Sequence, residues 1–233
     1  MRGVAERGWL RSVPAAERLR HAAASVSDEF RISAETYLGV GGVVPEVTAH
    51  AKRVSADLAV LGNSKCDFLS EVLGFNRALR VQRSSGLPVL AVSEPHRLAY
   101  TRILVATELS ADGAHAARQA LRFFPNSELV ILHAFESPYS SGMPGVSSET
   151  ARDYKIRAYD EGMQRLRGFV RNESLDHAAM LRVHLGHPAL AARREAYHMG
   201  ADLIVVRETG RWITNGVIEH LIADPPCDLL LMP

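Results

Sequence analysis

The chain has 233 residues, with 27 Lys and Arg against 26 Asp and Glu and a net charge of +1, so no global field recruits nucleic acid or an anionic membrane. Two cysteines, Cys66 and Cys227, cannot build a disulfide framework or a zinc site. No apolar run approaches the roughly 18 residues of a membrane span, and the charged N-terminus lacks a signal peptide's apolar stretch, so the expected location is cytoplasmic.

Residues 14–27 place Ala15, Leu19, Ala22 and Val26 about four apart, one face of a helix that Pro14 can start. A strand is expected over Arg31–Val40 from its partial alternation and β-branched residues. Gly41-Gly42 turns the chain into a helix over Pro45–Val54, and Leu58–Leu61 is a continuous apolar run, the mark of a strand buried on both faces. Phe68–Arg83 reads as a helix and Pro88–Val92 as another buried strand, followed by a polar linker over 93–101.

A fresh series of elements follows. Arg102–Thr107 is a buried strand, Ser110 an N-cap for a helix over Ala111–Phe124, and Glu128–His133 a second strand. Ser137–Val146 is a loop crowded with Pro, Gly and Ser. A long helix covers Ser148–Glu173, with Tyr154, Ala158, Gly162, Leu166 and Phe169 along one stripe. Strands over Ala178–Leu185, Leu203–Val206 and Leu229–Met232 alternate with helices over Pro188–His198 and Asn215–Ala223. Such alternation implies a parallel sheet covered on both faces, with ligands at the carboxyl ends of the strands where strand order reverses. The loops after Thr107, His133 and Arg207 are therefore where a site is expected.

The chain repeats itself. Gly41, Ala56, Asp57, Leu58 and Val60 meet identical residues at Gly186, Ala201, Asp202, Leu203 and Val205, all at an offset of 145, and Val89-Leu90 meets Leu229-Leu230 at an offset of 140. A period this long means duplicated domains, expected at 1–97 and 98–233. The counterpart of Arg102 would fall before Met1, so the first copy lacks its first strand, first helix and second strand. The expectation is a truncated product; the alternative is a half-domain completed by another chain.

The ordered phrases Arg102-Ile-Leu-Val-Ala-Thr-Glu-Leu-Ser110, Val130-Ile-Leu-His133, Gly186-His-Pro188, Ala201-Asp-Leu-Ile-Val-Val206 and Pro226-Cys-Asp-Leu-Leu-Leu231 resemble the universal stress protein family. Residues 1–97 resemble the second half of the same fold. The resemblance implies an α/β protein of two doubly wound parallel-sheet domains with strand order 3-2-1-4-5, the first incomplete. It also implies pairing through the last strands, Val89–Val92 and Leu229–Met232, within the chain or in a homodimer, and an unidentified protein partner.

ATP-binding members of the family resemble G-x2-G-x9-G-[ST] after the fourth strand, where glycines let backbone N–H groups approach phosphates. The first copy reads Gly62, Lys65, Phe75 and Asn76 at those positions, with a ring where the phosphate belongs. The second reads Arg207, Gly210, then after four residues Asn215 and Gly216, five residues short. Glu108 stands where the family has an aspartate for the adenosine end, beside Thr107, with Ala134 at the end of the next strand. The expectation is a degenerate site with no resident cofactor, leaving weak ATP or AMP binding in the second copy. Arg207 and Arg211 are candidates for a weaker anion site.

Plainer readings stand beside these. Glu108 can be a loop carboxylate at a helix N-terminus, and Arg207 a solvated strand end. His184 and His187, with His177 nearby, lack a carboxylate or Cys at ligand spacing, so a metal is not expected. Cys227 reads as a small buried hydrophobe, and Cys66 as a loop thiol. No nucleophile elbow, phosphate loop or catalytic constellation is present. The leading reading is a non-catalytic stress-response protein acting by binding and dimerisation. An adenine-nucleotide sensor is second, and a nucleotide hydrolase or adenylyl transferase third.

Overall fold

The computed structural model describes residues 14–62, 68–93, 99–136, 147–175, 179–207 and 216–233, and of 68–75 and 179 the backbone only. Two compact units divide between Gly42 and Val43. In the first, Pro14 starts the expected helix as α1 (Ala15–Phe30), which buries none of its residues.

The strand expected over Arg31–Val40 does not form: these residues are in no ladder. Their counterparts in the second repeat are the third strand of the 3-2-1-4-5 order, which pairs only with the second. No stretch of the 233 residues corresponds to that second strand in the first repeat. β-propensity without a neighbour leaves backbone groups to water, and no strand results.

The second unit runs α2 (Val43–Arg53), β1 (Ala59–Gly62), α3 (Phe68–Ser85), β2 (Val89–Val92), β3 (Arg102–Ala106), α4 (Ala111–Phe123), β4 (Glu128–Phe135), α5 (Ser148–Asn172), β5 (Ala179–Leu185), α6 (Pro188–Met199), β6 (Leu203–Arg207), α7 (Val217–Ala223) and β7 (Asp228–Met232). Its strands form one sheet in the order β1-β2-β7-β6-β3-β4-β5. The five strands from β3 onward follow the 3-2-1-4-5 order and are parallel. β2 pairs antiparallel with β7, so residues on both sides of the 97/98 position share one sheet.

The repeat is visible in backbone geometry. Gly41 and Gly186 have φ of 146° and 144°, values that favour glycine, each just ahead of a helix. Ala59 pairs with Val89 as Ile204 pairs with Leu229, at the same two offsets that relate the sequences.

Strand residues alternate between two cores. Leu104, Ala106 and Ile204 face α3, α6 and α7, while Ile103, Val105 and Val205 face α4 and α5. The long-helix stripe behaves as expected, with Ala158, Gly162, Leu166 and Phe169 buried. Gly162 is needed for space, since a Cβ there would lie 2.7 Å from Phe135 Cε1.

Two aspartates tie down the ends of the linker before β3. Asp202 accepts from Thr101 N (2.8 Å), Thr101 Oγ1 (2.9 Å) and Arg102 N (3.1 Å). Buried Asp228 accepts from Ser93 N (2.8 Å) and Oγ (2.9 Å) and from Tyr100 OH (2.6 Å). Burial, then the Asp228 hydrogen bond, push the Tyr100 pKa up. Cys227 packs against the core, half-buried, and burial pushes its thiol up to about 12. It is inert by that measure. Cys66 lies outside the described residues.

Candidate functional site

β3 has β6 on one side and β4 on the other, and here the connections change direction. The chain leaving β3 is held tightly. Thr107 N donates to Leu132 O (2.9 Å), and buried Thr107 Oγ1 accepts from Leu109 N (3.0 Å). Leu109 takes a left-handed φ of 65°. Ser110 then caps α4 as expected, its Oγ accepting from Gly113 N at 3.1 Å. Gly113 is there because the turn has no room: a Cβ would lie 2.2 Å from Thr107 Oγ1.

This turn points Glu108 inward. Its Oε2 is shielded from solvent and has no hydrogen-bond partner among the described residues. A buried acceptor left unsatisfied costs about 1–3 kcal/mol, and such atoms call for a donor. The plainer reading, a carboxylate serving the helix N-terminus, does not account for Oε2; that cap is made by Ser110.

Glu108 lines a cleft of about 570 Å³ together with His133, Phe135, Arg165, Phe169 and Glu173. His133 is buried, stacks on Phe135 with ring centroids 5.2 Å apart, and places Nδ1 3.1 Å from Thr107 O. A carbonyl only accepts, so Nδ1 carries the proton and Nε2 is left as an acceptor. Burial lowers the His133 pKa, and Arg165 adds to that. The cleft therefore holds a carboxylate, a neutral imidazole and a guanidinium. It offers acceptors to hydroxyl or amine donors. Ala134, next along β4, is buried and pairs with His184 in the ladder.

Arg207 ends β6 and is not a free cation. Its Nη1 pairs with Asp112 in the first turn of α4, and its Nε donates to the Pro233 carbonyl oxygen. Neither partner was legible: Asp112 looks like an ordinary helix-start acid, and it lies far from Arg207 in sequence. Gly210, Arg211 and Asn215 lie outside the described residues. Gly216 has a left-handed φ of 61° at the start of α7, and its carbonyl accepts from His220 Nδ1 at 2.7 Å. Thus Thr107 and Glu108 come together on one turn, and Arg207 is joined to α4.

In the first repeat, Gly62 ends β1 with open space at its Cβ position, and Asn76 is exposed on α3. Lys65 and the Phe75 side chain are outside the described residues.

His184 does have a carboxylate: Glu195, eleven residues on, reaches it at 3.0 Å while also accepting from Arg182 Nε at 3.1 Å. A strand and the next helix bring these together, which no linear spacing shows. Among the described residues no three metal-ligating side chains cluster, and no helix is long and apolar enough to cross a membrane. His177 is outside them.

The chain was compared with known proteins. No curated protein matches it. A functionally unknown protein from Pseudomonas aeruginosa PAO1 is similar at 13% identity and TM-score 0.67, over 95% of this chain and 78% of that one. A universal stress protein from Archaeoglobus fulgidus DSM 4304 gives 17% identity and TM-score 0.61, over 93% and 76%. A "Putative Universal Stress Protein" from Pseudomonas aeruginosa UCBPP-PA14 gives 15% and 0.65, over 95% and 79%. At such identities the likeness shows the fold. The Universal stress protein family model matches residues 99–233, more than half of the sequence. With the switch-point turn and the 3-2-1-4-5 order in those residues, the chain belongs to the universal stress protein family.

Proposed function

We propose that this chain works by binding rather than turnover in the cytoplasmic response to stress, as a tandem protein whose halves pair within the chain. In this reading the nucleotide crevice is degenerate at its phosphate end. The observation that carries it is Arg207, which stands at the first glycine position and is engaged by Asp112 and Pro233. A phosphate arriving there would have to displace a carboxylate from the guanidinium. Titration calorimetry with ATP and AMP tests this. No micromolar ATP binding is expected; micromolar affinity abolished by Glu108→Ala would overturn it.

A second reading rests on a separate observation, the shielded, unpartnered Glu108 Oε2. It suits a hydroxyl donor such as a ribose, so the second half would sense a nucleoside or AMP through that end alone. In that case AMP and adenosine bind equally weakly, and Glu108→Gln weakens both.

A further inference from the structure

The cleft that Glu108 lines lies on the α4 and α5 side of the sheet. Ala134 packs in the core beneath α3, α6 and α7, whereas Phe135 packs in the one beneath α4 and α5. By strand alternation His133 shares the side of Phe135, and it stacks on that ring. The lining comes from the turn after β3, from β4, and from α5 with its C-cap. Of Thr107, Glu108, Ala134 and Arg207, the described residues considered for the nucleotide crevice near this turn, it shares Glu108.

The polar groups of this cleft call for a ligand that carries both charges. Glu108 Oε2 is shielded and has no hydrogen-bond partner among the described residues. His133 is only 9% exposed, and with its Nδ1 proton on the Thr107 carbonyl it presents Nε2 as an acceptor. The other carboxylate of the lining, Glu173, is already held by Arg118 at 3.0 Å. Two acceptors and one negative charge therefore lack a donor. A primary ammonium brings three N–H groups and the balancing charge, whereas a hydroxyl brings one donor and no charge.

Arg165 supplies the opposite sign. Its acidic neighbour Glu161 is 3.9 Å away on the same helix, with both side chains 68% exposed. Such a contact is worth little, so a ligand carboxylate can take the guanidinium fork. Arg165 is also close enough for its charge to act on His133. A bare cation beside the imidazole would meet like charge there, and a zwitterion would bring its own compensation. Leu109, Phe135 and Phe169 add apolar surface, and the cleft volume of about 570 Å³ falls within the roughly 300–1,000 Å³ of small-molecule sites.

We infer that this cleft is a site for a small zwitterion, an amino acid with an apolar side chain. Its ammonium sits on Glu108 and His133 Nε2, its carboxylate on Arg165, and its side chain against Leu109, Phe135 and Phe169. Binding without turnover is common to this site and to the first reading above. The nucleoside reading uses Glu108 differently, and the choice of ligand separates the two.

L-Leucine is titrated into the full chain by calorimetry, beside isoamylamine, which lacks its carboxylate, isocaproate, which lacks its amine, and adenosine. Leucine is expected to bind saturably and one-to-one, with each truncated ligand about tenfold weaker, the loss of one charge-assisted contact. The protein is the same throughout, so folding is not at issue. Two variants then assign the ends. Glu108→Gln should bind leucine and isocaproate alike, and Arg165→Met should bind leucine and isoamylamine alike. In nitrogen NMR spectra, leucine should shift the His133 Nε2 resonance. No saturation at millimolar leucine, truncated ligands that match leucine, or variants that keep the discrimination overturn the inference. Adenosine binding that Glu108→Gln weakens, with no binding of leucine, overturns it in favour of the nucleoside; failure of both ligands overturns both.

Discussion

Leu90 and Leu230 lie opposite each other where β2 meets β7, and each holds the other's place in the repeat. The flanking pairs, Val89 with Leu231 and Ala91 with Leu229, interchange under the same operation. A local two-fold axis thus passes between the two leucines, both in the core at 6% and 0% exposure. Both hydrogen-bonding sides of β7 are used, by β2 and β6.

Leu230→Ala is expected to cost about 2–5 kcal/mol, the range for emptying a fully buried leucine site. Because the two side chains are cross-strand partners, the Leu90→Ala, Leu230→Ala double variant should lose less than the sum of the single losses. Urea unfolding of the three variants checks both statements.

Gly113→Ala is expected to destabilise by about 1–3 kcal/mol, through overpacking against Thr107 in the turn that carries Glu108. Thr107→Ala removes the obstructing atom, so the loss from Gly113→Ala should shrink in that background. Additive losses would show that the glycine is needed for another reason.

At alkaline pH the Cys227 thiol titrates near 9.0 in an ordinary setting and at about 12 in the fold. Between those values the unfolded chain has lost a proton that the folded chain keeps, so stability falls as pH rises from 9 toward 12. Tyr100, also raised, acts with the same sign above about pH 10. Cys227→Ala should flatten the decline above pH 9 in denaturant melts. Tyr100→Phe should cost about 1–3 kcal/mol at pH 7, by taking a donor from buried Asp228.

His133 acts in the opposite direction. Burial keeps its imidazole neutral in the fold, while the unfolded chain takes up a proton below about pH 6.5. The unfolded state then binds more protons, and stability falls as pH drops through that region. His133→Gln keeps a donor for the Thr107 carbonyl and should remove this part of the acid dependence, read as unfolding midpoints between pH 7 and 5.

The fold was legible wherever local pattern and neighbours agreed. Continuous apolar runs such as Ile103–Val105 and Leu203–Val206 announce strands buried on both faces, and the Ser110 cap and the Ala158–Phe169 stripe formed as read. Arg31–Val40 had strand-like residues, but a strand needs a partner, and its counterpart's partner has no equivalent in the first repeat. At the site, Glu108 could be named from its place after a strand. The Asp112–Arg207 pair and the Glu195–His184 contact could not, since each joins side chains brought together by the order of strands rather than by spacing.

The antiparallel seam between β2 and β7 gives the sheet two poles. β1 and β2 run one way and the other five strands the opposite way, so Gly62 and Arg207, the last residues of β1 and β6, lie at opposite ends of the sheet.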